Sequence, residues 1–193
     1  MSISDRLFLS RLRARDEDAF GEIVHAYKDR VYNLVLRLVG SPSEAEDIAQ
    51  EVFITVFKSI ESYRGEAKLS TWILRIAANH AKNRIKYLSR RRTTNQDTDG
   101  TDAMEMADEG KAPAQGHFEA PDVALESAEL EKLMQKAIAQ LDEEHRLVIV
   151  LRDVEDLSYE EIMEITGLPE GTVKSRLHRA RMALKTMLED KIK

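Results

Sequence analysis

A polyanion is the natural partner for one stretch of this sequence. Lys174, Ser175, His178, Arg179, Arg181 and Lys185 share one side of a predicted helix, and Val173, Leu177, Ala180 and Leu184 share the other. Ser175 and His178 offer hydrogen bonds to base edges. Lys174 and Arg179 suit guanine or phosphate, while Arg181 and Lys185 suit the DNA backbone. A solvated basic face is the ordinary explanation of such a run, so the neighbouring sequence has to decide. Ser158-Tyr159-Glu160-Glu161 reads as a capping box with Leu157 and Ile162 as its hydrophobic staple. Gly167 supplies a left-handed stop, Pro169 prevents continuation, and Thr172 is expected to cap the next helix. Two helices across a short glycine-containing turn form a helix-turn-helix, whose second helix enters the major groove. Arg176 and Thr172 lie on the same segment and join the candidate duplex contacts.

A second set has a different chemistry. Tyr63, Arg64, Lys68 and Trp72 lie in or beside the loop "SYRGEAKLSTW", and Arg75, Asn79 and Lys82 continue one helical face beyond it. Aromatic rings beside an amide and cations are what an unpaired strand requires: stacking, hydrogen bonds to base edges, and charge for the backbone. The competing reading is that Tyr63 and Trp72 are core residues, since Ile73 and Ile76 turn the same helix inward. Asp47, Glu51 and His80 form a conceivable metal set, but no clustered His or Cys group supports a closed site, and no cofactor is expected.

These residues need helices to hold them. Phe20 to Leu38 and Ala45 to Ile60 carry apolar residues at helical spacing, and Gly40 can end the first. Ser41-Pro42-Ser43-Glu44 reads as a capping box for the second. A third helix is predicted from about Ser70 into the arginines at 90–92, and a short one near Leu7–Leu12. In the C-terminal part a long helix is expected from Asp122 through Ala139, and "RLVIVL" at 146–151 is read as a buried helix. Charge marks the boundary between the parts. Residues 75–92 carry seven basic residues and no acid, whereas residues 97–126 carry nine acids against Lys111 alone. The acidic stretch also holds glycine, proline and few apolar residues, so it is expected to be a flexible linker. The reading is an all-α chain of two small helical domains, 1–92 and 122–193, joined by the acidic linker 93–121 and free to move independently.

Composition excludes several classes. The 193 residues hold no cysteine, so disulfides and thiolate metal sites are absent, and a reducing cytoplasm is the simplest location. No apolar run reaches signal-peptide or membrane-span length. A stand-alone helix-turn-helix regulator would explain residues 157–181 but leave the basic, aromatic first domain without a task.

Three stretches, "AEDIAQEVFITVFKSI", "SYRGEAKLSTWILRIAANHAKN" and "LSYEEIMEITGLPEGTVKSRLHRAR", resemble regions two and four of bacterial extracytoplasmic-function sigma factors of the sigma-E-like type. The resemblance implies a non-enzymatic protein that binds core RNA polymerase, directs it to promoters, and serves a stress or envelope response. It implies that Asp47, Gln50 and Glu51 dock on the β′ clamp helices and that the C-terminal domain meets the β flap. Promoter DNA would be bound as single strand at −10, with Tyr63 and Asn79 at a flipped base, and as duplex at −35, read by Lys174, Ser175, His178 and Arg179. A cognate anti-sigma factor is a further implied partner, and no membrane insertion is expected. Arg15 stands where many members have glycine, Asp142-Glu143 replace a common proline, and His178 occupies a position where other residues often stand.

Overall fold

The computed structural model describes residues 3–95 and 121–192, and every regular element among them is helical. Helices α1 (Ile3–Arg13), α2 (Glu17–Val39), α3 (Pro42–Ser59) and α4 (Leu69–Asn95) build the N-terminal half. Helices α5 (Pro121–Gln140), α6 (Glu143–Ile149), α7 (Tyr159–Thr166) and α8 (Glu170–Ile192) build the C-terminal half. The acidic segment predicted as a linker lies, between its ends, outside the described residues. Helix α4 runs three residues past the boundary expected at Arg92.

Burial follows the predicted stripes. Ile23, Val31, Leu34 and Val35 of α2 meet Val52 and Val56 of α3 and Ile73, Leu74 and Ala77 of α4, all nearly or fully inaccessible. In the C-terminal half Val148, Leu151, Ile162, Val173, Leu177 and Ala180 form the equivalent centre. Each helix is amphipathic, so packing one apolar face per helix leaves the opposite faces free for function.

Chain punctuation fixes the helix ends. Asp16 caps α2 by accepting from the Ala19 backbone amide at 3.0 Å. Gly40 ends α2 at φ 79°, its N–H donating to Leu36 O at 2.8 Å, and Gly167 ends α7 in the same way at φ 70°. Only glycine enters that left-handed region without a steric cost. Arg15, at the position noted for glycine, also has positive φ, 62°. Its guanidinium is held by the Phe57 carbonyl and Glu61 and lies 4.7 Å from the Phe57 ring centroid. Those contacts offset the unfavourable backbone. Asp142 stands at the N-cap of α6 and Glu143 at its first helical position, where proline is favoured but not required.

Two expected caps take another form. Ser41 is the N-cap of α3 but makes no side-chain capping bond, and its hydroxyl meets that of Ser43 at 3.2 Å. Glu44, the supposed partner, is drawn away by the guanidinium of Arg84 on α4. Thr172 is not a cap, because α8 already begins at Glu170. Its amide donates to Pro169 O at 2.9 Å, inside the first turn. "RLVIVL" is helical and buried as expected, but from Val150 to Val154 the helix widens to π geometry. Glu155 N there donates to Val150 O at 3.0 Å, a bond spanning five residues.

Truncation of Ile73, which is fully buried on α4, leaves a cavity that packed helices close only in part. Ile73→Ala should cost about 2–5 kcal/mol, read as a lower urea midpoint with an unchanged m-value.

Candidate nucleic-acid and polymerase interfaces

The helix-turn-helix is built on the capping box of α7. Ser158 Oγ accepts from Glu161 N at 3.2 Å, and Glu161 Oε2 accepts from Ser158 N at 2.9 Å. Leu157 and Ile162 are both buried against the same turn. Helix α8 then presents Lys174, Ser175, His178, Arg179, Arg181 and Lys185 to solvent, while Val173, Leu177, Ala180 and Leu184 face the core.

These polar residues are not equivalent. Lys174 Nζ pairs with Glu170 at 2.6 Å and lies 5.5 Å from the Tyr159 ring centroid. The hydrogen bond it donates to Glu170 holds its ammonium above the ordinary lysine range. Arg181 grips Asp153 with two nitrogens, at 2.6 and 3.0 Å, which likewise strengthens its charge. Ser175 Oγ donates to Thr172 O at 3.0 Å. His178 and Arg179 are exposed and have no hydrogen bond or ion pair among the described residues. Arg176 points the other way: it pairs with Glu144 of α6 at 2.6 Å and is only 21% exposed. Its place on the sequence suggested DNA, and its helical angle assigns it to the join between α6 and α8.

The second candidate surface divides similarly. Tyr63 and Trp72 are buried, with ring centroids 5.3 Å apart at 43°, and the Tyr63 hydroxyl donates to Ala67 O at 2.7 Å. Their packing shapes the loop, and Arg13 reinforces it by donating to Tyr63 O at 2.9 Å. Arg64 and Lys68 are exposed on this loop, and Asn79 and Lys82 are exposed about two and three turns past Trp72 along α4. Lys68 Nζ lies 3.0 Å from Glu161 Oε1, and Arg75 Nη1 lies 3.8 Å from Glu164 Oε1, both acids belonging to α7. Thr71, which the sequence did not single out, is 1% exposed and donates to Glu161 at 3.2 Å. A polar residue immediately before the apolar run Trp72, Ile73 and Leu74 was the available signal.

Asp47, Gln50 and Glu51 lie on the exposed side of α3. With Ile48, Ile54 and Arg84 they line an open hollow of about 360 Å³. Glu51 meets His80 Nδ1 at 3.3 Å, and His80 Nε2 is 3.0 Å from Thr55 Oγ1, so this histidine is spent within the helix pair. Among the described residues no three acidic or histidine side chains are grouped to hold a metal. The exposed Ile54 beside two carboxylates and the Arg84 guanidinium makes the hollow a mixed apolar and charged surface.

Exposed cations thus stand on α4 and on α8, in separate helical halves, and α3 carries an acidic face. The Sigma-70 region 2 family matches residues 23–91, and the Sigma-70 region 4 family matches residues 131–184. The chain is 40% identical over 94% of its length to the ECF RNA polymerase sigma factor SigW of Bacillus subtilis, covering 95% of that protein. It is 39% identical over 98% of its length to the ECF RNA polymerase sigma-E factor of Haemophilus influenzae, covering 96% of it. The chain belongs to the ECF RNA polymerase sigma factors. The fold also matches the sigma factor RpoE of Bartonella quintana, solved with the anti-sigma factor NepR. The TM-score is 0.62 with 24% identity, over 88% of this chain and 96% of that one. CnrH, solved with the cytosolic domain of CnrY, gives a TM-score of 0.63 with 21% identity, over 96% and 97% of the two chains.

Glu161 ties the site to pH. Its hydrogen bond from the Ser158 amide, with smaller help from Lys68 and Thr71, holds its carboxyl below the ordinary 4.5. A lowered native value stabilises the fold fully above 4.5, and the contribution disappears as pH falls through the native value. Glu161→Gln should therefore be about 1–2 kcal/mol less stable at neutral pH. Urea titrations should show the difference from the parent closing as pH falls below 4.5.

Proposed function

We propose that this sigma factor reads the −35 element as duplex through α8 and takes the −10 element as single strand on α4, while the α3 hollow docks on core RNA polymerase. The observation that carries the reading is the free pair His178 and Arg179 on the exposed face of a helix-turn-helix whose first helix is capped at both ends. Lys174 and Ser175 stand one turn earlier, near the helix start, where side chains reach base edges. Arg181 lies further along and suits phosphate.

On the first half, Arg64, Lys68, Arg75, Asn79 and Lys82 would hold the strand. The Asn79 amide offers a donor and an acceptor to an unpaired base. The buried Tyr63–Trp72 pair supports that surface from beneath, and a flipped base would enter beside it. Asp47, Gln50 and Glu51 would meet basic residues of the β′ clamp helices, and the C-terminal half would meet the β flap. The chain acts as a cytoplasmic, non-catalytic initiation factor in a stress or envelope response. A cognate anti-sigma factor belongs to the same proposal, by its family and by the complexes known for proteins of this fold.

Run-off transcription with purified core polymerase on genomic fragments tests the whole reading. Transcripts that require both the chain and core polymerase are expected. Sequence-specific duplex binding by the free chain, with no added transcripts, would instead describe a stand-alone regulator.

The α8 assignment makes a finer prediction. Arg179→Ala should lose about 1–3 kcal/mol of discrimination at one −35 base pair. Arg181→Ala should weaken all sequences alike and reduce the salt slope. Competition binding of the holoenzyme on altered −35 sequences separates the two behaviours, and uniform losses in both variants would remove Arg179 from base reading.

A further inference from the structure

His80 of α4 stands behind the acidic face of α3 and touches it with both ring nitrogens. Its Nε2 lies 3.0 Å from Thr55 Oγ1, and its Nδ1 lies 3.3 Å from Glu51 Oε2. The His80 side chain is 27% exposed, whereas Glu51, which lines the open hollow, is 62% exposed. We propose that His80 is a positioning residue for polymerase docking, the charge on its ring deciding whether the Glu51 carboxylate is offered to the partner or retained by α4. This inference rests on the reading of the α3 hollow as the docking face for core RNA polymerase.

Thr55 fixes which ring nitrogen carries the proton. A threonine hydroxyl has one proton, and Thr55 Oγ1 donates it to the Glu51 carbonyl at 2.8 Å. Toward His80 the same oxygen is then an acceptor, so Nε2 is the donor. Nδ1 bears a proton only when the ring is a cation. In the neutral ring its lone pair confronts Glu51 Oε2, and two acceptors at 3.3 Å repel each other. A carboxylate on a flexible, exposed side chain relieves that repulsion by turning outward to the hollow. In the imidazolium, Nδ1–H donates to the same oxygen, and a charge-assisted bond holds Glu51 against α4.

The charged groups gathered with His80 come from the two helices that it joins: Glu44, Asp47 and Glu51 on α3 and Arg84 on α4. Arg84 donates to both oxygens of Glu44 through Nε and Nη2. That pairing, with the nearby charges of Glu51 and Asp47, raises its pKa above the ordinary arginine range, so its charge is fixed. Asp47 and Glu51 are the two carboxylates that line the hollow. Histidine is the side chain whose charge ordinarily changes between about pH 5 and pH 8. His80 is therefore the variable charge of this group. A proton on its ring withdraws one of the two carboxylates that would meet basic residues of the partner.

Equilibrium binding of the fluorescently labelled chain to core RNA polymerase tests the assignment, at about pH 8 and about pH 6 and at constant ionic strength. His80→Gln keeps a neutral polar side chain and reports every other titration of the two proteins. On acidification the parent should lose about threefold more affinity than His80→Gln, a modest factor because Glu51 is mostly exposed. His80→Lys, charged at both pH values, should bind about threefold more weakly than the parent at the higher pH and show no such excess loss. Two-bond proton–nitrogen NMR spectra of the parent chain read the tautomer without a substitution, which covers the case in which His80→Gln does not fold. The neutral ring should carry its proton on Nε2. A neutral ring protonated at Nδ1 overturns the inference. An equal response of parent and His80→Gln to acid also overturns it, when Glu51→Lys binds core polymerase more weakly than the parent. If Glu51→Lys and Asp47→Lys both bind core polymerase as the parent does, the docking reading beneath it fails instead.

Discussion

The carboxylate of Glu161 serves two helices at once, and the join between the helix-turn-helix and α4 is built on it. One oxygen closes the capping box that starts α7, and the other receives Lys68 and Thr71 from α4. A helix start leaves backbone amides without partners, so some acceptor has to stand there. Here the acceptor is charged, and its second oxygen faces out of the turn. The geometry of the helix-turn-helix thereby also sets where the C-terminal half meets the N-terminal half.

Charge on α8 is organised by neighbours rather than by count. Lys174 and Arg181 are each held by an acid, Glu170 and Asp153, which fixes their positions before any ligand arrives. Tyr159, the first residue of α7, has Arg152 and Lys174 both near its ring face, at 5.3 and 5.5 Å. His178 and Arg179 are left without such restraints. Ordered cations flank two adaptable residues, a division suited to gripping a regular backbone while reading a variable base edge. The π-helical turn at Val150–Val154 contributes by carrying Asp153 to Arg181 and delivering Glu155 to Arg30.

The N-terminal half shows how a locally unfavourable residue is accommodated. Arg15 occupies left-handed backbone, yet its guanidinium reaches across to the Phe57 carbonyl, the Phe57 ring and Glu61. Phe57 in turn packs edge-on to Phe20 at 4.6 Å. A glycine there would relieve the backbone but remove the tie between the α1–α2 turn and the end of α3. Glu44 shows the converse, forsaking its own helix start for Arg84, because a charge-assisted pair with two nitrogens is stronger than one neutral capping bond.

The sequence by itself determined the helices, their apolar faces, the stops at Gly40 and Gly167, the capping box of α7 and the outward row on α8. Each of these depends on residues within about one or two turns of one another, where period and backbone preference act directly. Tertiary structure decided the rest. It turned Arg176 inward to Glu144, drew Glu44 from Ser41 to Arg84, and buried Tyr63 against Trp72. It also set α7 against α4, through Glu161 and Glu164 on one side and Lys68, Thr71 and Arg75 on the other. Side-chain partners distant in sequence follow from how helices cross, and one-dimensional spacing carries no record of that crossing.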